Sequence, residues 1–273
     1  MLDELFFREK ANKTSLNYII FSFALTLIAF ITSLIIFQRN ASVATILITA
    51  ILLMPAVVRL FREEELIVRK EGLKHIIKNH RYIFNIFLMI FLGTFLAFFF
   101  AQLVSINKPE FFSAAFDYQI RFIETNRDLT FFYTDQIMQG SSLISEFSTL
   151  TSILYANLLL VLVAFMLSLF YGAGGIFLLV IASSVLSTMI LYALKSSAFF
   201  LPFTVLFSLL FILLLIPLIL SSVAGGILSN AFMSEKVRKH YFWNVVKDAS
   251  TLFLFSVLAS VLLVGIWALA LGI

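Results

Sequence analysis

Long apolar runs alternate with short polar segments along the whole 273-residue chain. A membrane-spanning helix needs about 20 mostly apolar residues, and several runs reach this length. The pattern predicts an all-α, polytopic transmembrane helical bundle, formed as a single integral membrane domain over residues 1–273. It has about seven spans, which we place at residues 17–37, 41–60, 82–104, 151–171, 176–194, 199–229 and 251–271.

The apolar run over residues 150–194 is too long for one span. As a single helix it would be about 65 Å long at about 1.5 Å per residue, twice the thickness of the hydrocarbon core. It must therefore fold back, and the segment from Gly172 to Gly175 is the predicted break. If 172–194 were re-entrant instead, the basic residues of 230–249 would lie outside the cell, against the positive-inside rule.

Lys and Arg are distributed unevenly between the two sides of the predicted bundle. With the N-terminus in the cytoplasm, the inner segments 1–16, 61–81 and 230–249 hold 13 basic residues, whereas the outer segments hold 5. The positive-inside rule therefore favours this orientation in the cell membrane. It makes 105–149 an outer loop and places the C-terminus outside.

Amphipathic stretches lie between the spans. In 66–80 and 232–246, apolar residues share one helical face beside basic residues, which predicts interfacial helices at the inner headgroups. Anchoring of the bundle is the expected role, with partner docking or curvature sensing as the alternative. A similar stripe in the outer loop is formed by Phe112, Phe116, Ile120 and Ile123.

Composition agrees with a membrane location and excludes several classes of protein. The chain is 62% hydrophobic and 12% charged, with a mean hydropathy of +1.06, whereas about a quarter of a soluble domain is charged. A soluble enzyme, a disordered chain and a coiled coil are excluded. Without Cys there is no disulfide, thiolate metal site or catalytic thiol. The net charge of +4 follows from membrane topology, so we expect no nucleic-acid partner.

The predicted spans carry no ionisable residue near their middle. Because such groups mark ion paths and proton relays, this argues against a proton-coupled transporter. A membrane serine protease would also need a base beside its serine. We therefore predict no enzyme, and no catalytic, cofactor or metal site. The polar residues at depth are small or neutral: Asn157, Ser168, Ser183, Ser184, Ser187, Thr188, Thr204, Ser208, Ser221 and Ser222.

The remaining titratable residues have ordinary interpretations. His75 and His80 are five residues apart and share no helix face, so we interpret them as interfacial histidines. The Glu63–Glu65 run is expected to interact with a helix N-terminus through its dipole, with cation binding as the alternative. No pair stands out among the acids of the outer loop, which we interpret as solvated: Asp117, Glu124, Asp128 and Asp135.

Two Gly- and Ser-rich stretches are candidate helix-packing sites. Residues 221–229 place small side chains four apart, which lets helices approach backbone to backbone. Residues 170–175 turn one predicted span into the next. Intramolecular packing is the expected role of both, and a dimer seam or a pore-lining break is the alternative. The candidate residues are Asn157, Tyr171, Gly172, Gly174, Gly175, Ser221, Ser222, Ala224, Gly225 and Gly226.

The same stretches carry a family resemblance. Three segments, 157–161, 168–177 (SLFYGAGGIF) and 221–229 (SSVAGGILS), are followed by Phe242-Trp and Lys247-Asp248. Together they resemble the stage II sporulation protein M family (SpoIIM, DUF95), and archaeal members most closely. The N-terminal half is similar in layout, with Pro55, the glutamate run, His80 and Phe91-Leu-Gly93, so the resemblance covers nearly the whole chain.

The chain also departs from the family pattern. Ala156-Asn157 stands where the family has an Asn pair, and Ala182-Ser183-Ser184 where it has Asn-Gly. The region where the family usually has His-Gly reads Phe200-Leu-Pro-Phe in this chain. Trp267 stands where the last span of the family usually has an acid. If those polar groups carry an activity, this chain has lost most of them, which favours a structural role.

The resemblance implies a non-enzymatic multi-pass membrane protein. In spore-forming bacteria the family member helps to hold a septal complex of cell-wall hydrolases. Scaffolding, anchoring or membrane remodelling of an envelope complex is therefore expected here, with the lipid bilayer, envelope proteins or further copies of the chain as partners. The alternative is a permease or channel-like transport subunit for a neutral or hydrophobic solute, with Gly172–Gly175 and Pro217 as helix breaks.

The predicted topology gives a direct test. A tag placed after Ile273 should be reachable from outside intact cells, because seven spans and the basic residues put the C-terminus there. Antibody labelling with and without permeabilisation measures this. Labelling only after permeabilisation would contradict the seven-span arrangement.

Overall fold

The computed structural model describes residues 15–71, 76–125, 143–195, 201–233 and 240–271. In these ranges the chain forms α-helices and one 3₁₀ turn, Gln38–Asn40, and no strand, which confirms the all-α prediction. The helices are α1 (Ser15–Ile36), α2 (Ala41–Glu71), α3 (Ile76–Ser105), α4 (Pro109–Ala115), α5 (Asp117–Thr125), α6 (Leu143–Tyr171), α7 (Gly175–Lys195), α8 (Leu201–Met233) and α9 (His240–Leu271).

Six helices in the described ranges are long and apolar enough to cross a membrane, which confirms the multi-pass character. The apolar part of α7, Gly175–Leu191, is shorter. The whole of α7 has 21 residues and measures about 31 Å at about 1.5 Å per residue, so its length matches a bilayer. The count of seven crossings stays a prediction. The six candidate spans are Leu16–Ile36, Ala41–Glu63, His80–Ser105, Leu154–Tyr171, Phe211–Met233 and Phe242–Ile266.

The helices pack as two groups that contact each other through α7 and through α2, which also packs on α8 and α9. In the first group α1 packs on α2 and α3, and in the second α8 packs on α6 and α9. Helix α7 contacts α2 and α3 on one side and α8 on the other. A cluster of buried apolar side chains runs continuously through both groups, so they share one core.

The two ends of the bundle differ in structure. At one end α6 meets α7 at Gly172, beside Val58 of α2 and Ser229 of α8; we call this the glycine-turn end. At the other, the short helices α4 and α5 cover the bundle, and Phe116 stacks on Phe30 of α1 with ring centroids 5.5 Å apart. We call this the cap end.

The segments 66–80 and 232–246, which were predicted to form separate interfacial helices, do not do so in their described parts. Residues 66–71 continue α2, 76–80 begin α3 and 240–246 begin α9, so the described parts extend the long helices and form no separate ones. Residues 72–75 and 234–239 lie outside the described residues. Continuation keeps the backbone hydrogen bonds that a break would interrupt. The stripe predicted in 105–149 does form helices, α4 and α5, which meet at Phe116, and it buries Phe112, Phe116 and Ile123.

Helices α1 and α3 cross at very short distance. A Cβ atom on Gly93 would lie closer than 3.0 Å to Ser22 Oγ and to the Ile19 carbonyl oxygen. Apolar helices gain little free energy by leaving lipid, so van der Waals contact at such crossings is what holds the helices together. Gly93, which lies in a segment of the family resemblance, is therefore required by packing.

Candidate functional site at the glycine-turn end

The turn between α6 and α7 depends on glycine. Gly172 has φ +71°, in the left-handed region that L-residues with side chains rarely adopt. The Ala173 N–H donates to the Tyr171 carbonyl at 2.8 Å, which closes the turn. The Gly175 N–H donates to Ser168 Oγ at 2.9 Å and thereby satisfies an amide at the start of α7. The Tyr171 side chain is 65% exposed and lies at the surface of this end.

The two glycines after the turn allow a tight approach of neighbouring atoms. A Cβ atom on Gly174 would lie within 3.0 Å of the Leu167 backbone. A Cβ atom on Gly175 would be equally close to the side chain of Ser222 on α8. The start of α7 is thus pressed against both α6 and α8.

The glycine pair of α8 faces two different neighbours. A Cβ atom on Gly225 would lie 2.9 Å from Ser168 Cβ and closer still to the Phe165 carbonyl oxygen of α6. A Cβ atom on Gly226 would enter the Phe61 ring of α2. Phe61 has no room to move away, because it is buried and its ring packs 5.7 Å from that of Phe87. Adjacent glycines therefore serve two separate helix contacts.

Hydrogen bonds add to this packing further along the helices. Ser221 Oγ donates to the Val161 carbonyl oxygen, which links α8 to α6. Asn157 Nδ2 donates to Ser260 Oγ at 2.6 Å and links α6 to α9. Ala224 is fully buried in the core. The candidate residues thus belong to one continuous zone of contact around α8 and α6, with Tyr171 at its surface.

A buried histidine–aspartate pair crosses the same end of the bundle. His80 Nε2 lies 2.9 Å from Asp248 Oδ2, and the two side chains are 4% and 1% exposed. They come from α3 and α9, which are not otherwise a closely packed pair. A buried carboxylate is costly without a hydrogen-bond donor, so this pair is a specific link between the two groups of helices.

His80 is therefore buried and paired, which its interpretation as an ordinary interfacial histidine did not predict. Helix periodicity held a usable signal: Ile83 and Phe87, three and seven residues after His80, are buried. Likewise Asp248 lies between the buried Val245 and Leu252 on one face of α9. The pattern places each residue on a buried face, although it cannot show that two residues 168 positions apart are partners.

Two further polar side chains are buried on α8 near this end. Ser229 Oγ lies 3.8 Å from the position of a Cβ atom on Gly172. Within the described residues, Ser229 Oγ and Asn230 Nδ2 have no hydrogen-bond partner. The glycine-turn end therefore combines the closest helix contacts with several buried polar groups.

The other titratable candidates form no site in the part of the chain that the structure describes. There, no group of three or more His, Cys, Asp or Glu side chains could hold a metal ion. Asp117 accepts a hydrogen bond from Arg121 Nε at 2.8 Å on the surface of α5, which raises the pKa of the Arg121 guanidinium. Three other candidates lie outside the described residues: His75, Asp128 and Asp135.

Comparisons with protein-family models, with curated proteins and with solved structures found no match to this chain. The fold alone therefore defines its class, an all-α multi-pass membrane protein. The resemblance to the SpoIIM family stays a prediction.

The glycine pair of α8 can be tested by enlargement. Replacing Gly225 and Gly226 with Leu should disrupt folding or assembly, because each side chain would overlap α6 or α2; overpacking of this kind typically costs about 1–3 kcal/mol or more. Size-exclusion profiles and melting curves measure the effect. Gly265→Leu is the matched control, since nothing lies within 4 Å of a Cβ there. Unchanged profiles and curves for the Gly225 and Gly226 variants would show that helix packing does not depend on these glycines.

The buried pair can be tested by a double-mutant cycle. Asp248→Ala should lower the free energy of unfolding by about 1–3 kcal/mol, because it leaves a buried imidazole without its acceptor. Adding His80→Ala should cost less than His80→Ala costs alone. Lys247→Ala, at the exposed neighbouring position, should change stability by less than about 0.5 kcal/mol. Strict additivity of the two changes would show that the pair is not coupled.

Proposed function

We propose that this protein is a non-enzymatic multi-pass membrane protein that scaffolds, anchors or remodels the membrane for an envelope complex. This is the role that the SpoIIM resemblance implies. The support from the structure is physical: the bundle uses its polar residues to hold helices together. A transport subunit would direct many of them toward a shared space for solute.

The observation that carries the proposal concerns the ten polar residues at depth. Eight of them have side chains that the structure describes, and none of these is more than 9% exposed. Five donate to carbonyl groups of their own helix: Ser183, Ser184, Ser187, Thr188 and Ser222. Three bond to a neighbouring helix: Asn157, Ser168 and Ser221. Each of the eight thus has a partner inside the bundle.

The proline that a permease would use as a helix break does not interrupt its helix. Helix α8 is continuous from Leu201 to Met233 with Pro217 inside it. The Pro217 carbonyl oxygen accepts a hydrogen bond from Ser256 Oγ of α9 at 2.6 Å. This region therefore contributes a helix–helix contact, which is what a rigid scaffold requires.

The lateral surface of α6 offers a place for partners within the membrane. Helix α6 is the least buried of the candidate spans. From Tyr155 to Tyr171 its exposed residues are apolar or aromatic, and include Leu159, Leu160, Val163 and Phe170. Because lipid and a partner helix are equally apolar, such a face can bind either.

Site-specific crosslinking in native membranes tests the proposal. A photoreactive residue at Leu160, on the exposed face of α6, should capture cell-envelope enzymes, division proteins or a second copy of the chain. The same residue at Ile28, on the exposed face of α1, is the control for random lateral neighbours. Stoichiometric capture of an ATP-hydrolysing or other energising subunit at Leu160 would overturn the scaffold and support the permease.

A further inference from the structure

Three buried polar side chains near the cap end leave an atom without a hydrogen bond. Within the described residues, Thr49 Oγ1, Gln102 Oε1 and Gln119 Nε2 have no partner, and all three side chains are 0% exposed. They come from α2, α3 and α5, and each of these helices packs against α7. Buried polar groups in folded proteins are rarely left in this state.

Thr49 behaves differently from the other threonine of its helix. Thr45, one turn earlier in α2, donates its hydroxyl to the carbonyl four residues before it, at 2.7 Å. Thr26, Thr94 and Thr188 make the same kind of bond in their own helices. This local bond is available to any helical threonine. The Thr49 hydroxyl does not use it and is available for another partner.

Gln102 is held against the polar face of α7. Its Nε2 donates to Thr188 Oγ1 at 2.6 Å, so Oε1 of the same amide also lies near this face. Further fully buried hydroxyls lie nearby on α7, at Ser184, one turn before Thr188, and at Ser187, next to it in sequence. Gln102 therefore presents an unused acceptor in a polar environment.

Gln119 presents an unused donor from α5. Its Oε1 accepts a hydrogen bond from Ser42 Oγ at 2.6 Å, which fixes the amide and leaves Nε2. Ser42 and Thr49 are seven residues apart and so share one face of α2, two turns from each other. Ile123, one turn after Gln119, packs on α7 at Val185 and Met189, beside the Thr188 that binds Gln102.

We propose that the region between α2, α3, α5 and α7 is a closed binding site for small uncharged hydrogen-bonding molecules. The ligands are ordered water or a small solute with hydroxyl or amide groups. The unused groups are an acceptor, a donor and a hydroxyl, which match a neutral molecule that both donates and accepts. Internal waters typically make about three hydrogen bonds to such groups. This site goes beyond the proposed function, since a scaffold requires no ligand.

All three side chains are fully buried, so a molecule bound between them would be enclosed by the bundle. The short helix α5 covers it at the cap end, and Gln119 is both a part of this cover and a group of the site. Access from that side therefore requires movement of α5. A closed site is compatible with a scaffold, because it provides no continuous path across the bundle.

Thr49→Val tests the site through the direction in which it changes the melting temperature. Valine has the shape of threonine without the hydroxyl. If a molecule binds the hydroxyl, the variant loses that bond and the melting temperature should fall by about 2–4 °C. If the site is empty, the variant removes an unsatisfied polar group, and stability should stay the same or rise.

Thr45→Val is the matched control, since it removes a satisfied hydroxyl from the same helix. We expect Thr49→Val to lower the melting temperature at least as much as this control does. A melting temperature that is unchanged or raised in Thr49→Val would overturn the proposal. The measurement is made on the full chain in detergent.

Added solutes then distinguish the two sources of ligand. Melting curves of the wild type and of Gln102→Leu are compared in increasing glycerol and acetamide. A stabilisation that is larger in the wild type identifies a small solute as the ligand. Parallel curves identify water.

Radiolytic labelling of the wild type provides a second test if Thr49→Val does not fold. Hydroxyl radicals formed from a bound water react with side chains beside it. Met189 is 7% exposed and lies next to Thr188, so it should be oxidised at least as fast as the less buried Met54 of α2. Protection of Met189 relative to Met54 excludes bound water, and together with parallel melting curves in the added solutes it would overturn the proposal.

Discussion

The close approach of α8 to its neighbours is the constraint on which the rest of the bundle depends. In lipid, apolar helices gain little by leaving the solvent, so contact distance and hydrogen bonding determine whether they associate. Gly225 and Gly226 let α6 and α2 approach the backbone of α8 on two sides. Ser222 meets Gly175 on a third. The positions of α2, α6 and α7 are thus fixed together by one short segment of chain.

Polar side chains in this bundle make three kinds of hydrogen-bonded contact. Most hydroxyls donate to a carbonyl of their own helix, as Ser183 does to that of Val180. Such a bond satisfies the buried hydroxyl but does not join two helices. Others join adjacent helices, as Asn157 does with Ser260. The His80–Asp248 pair joins two helices that otherwise have few contacts. Because a charged or strongly polar group is costly to bury alone, this pair adds a specific link between the two helix groups to the packing of α2 and α7.

Apolar run length predicted the helices well, because the bilayer imposes that length directly. Amphipathic periodicity at 66–80 and 232–246 did not show whether the chain would break into interfacial helices or extend α2, α3 and α9, since both arrangements use the same face. Helix periodicity likewise places His80 and Asp248 on buried faces, but it does not show that they are partners. Whether two residues 168 positions apart are partners depends on how the helices are arranged in the bundle. The local pattern of apolar and polar residues does not encode that arrangement.

The contrast between the two ends constrains how the protein can work. At the glycine-turn end, side chains as small as a methyl group would overlap neighbouring atoms at Gly174, Gly175, Gly225 and Gly226, so relative movement of α6, α7 and α8 is strongly opposed there. At the cap end the helices are covered by α5, a nine-residue helix that has fewer contacts to hold it. Any conformational change that a partner induces should therefore occur at α4 and α5, with the glycine-turn end as the fixed point.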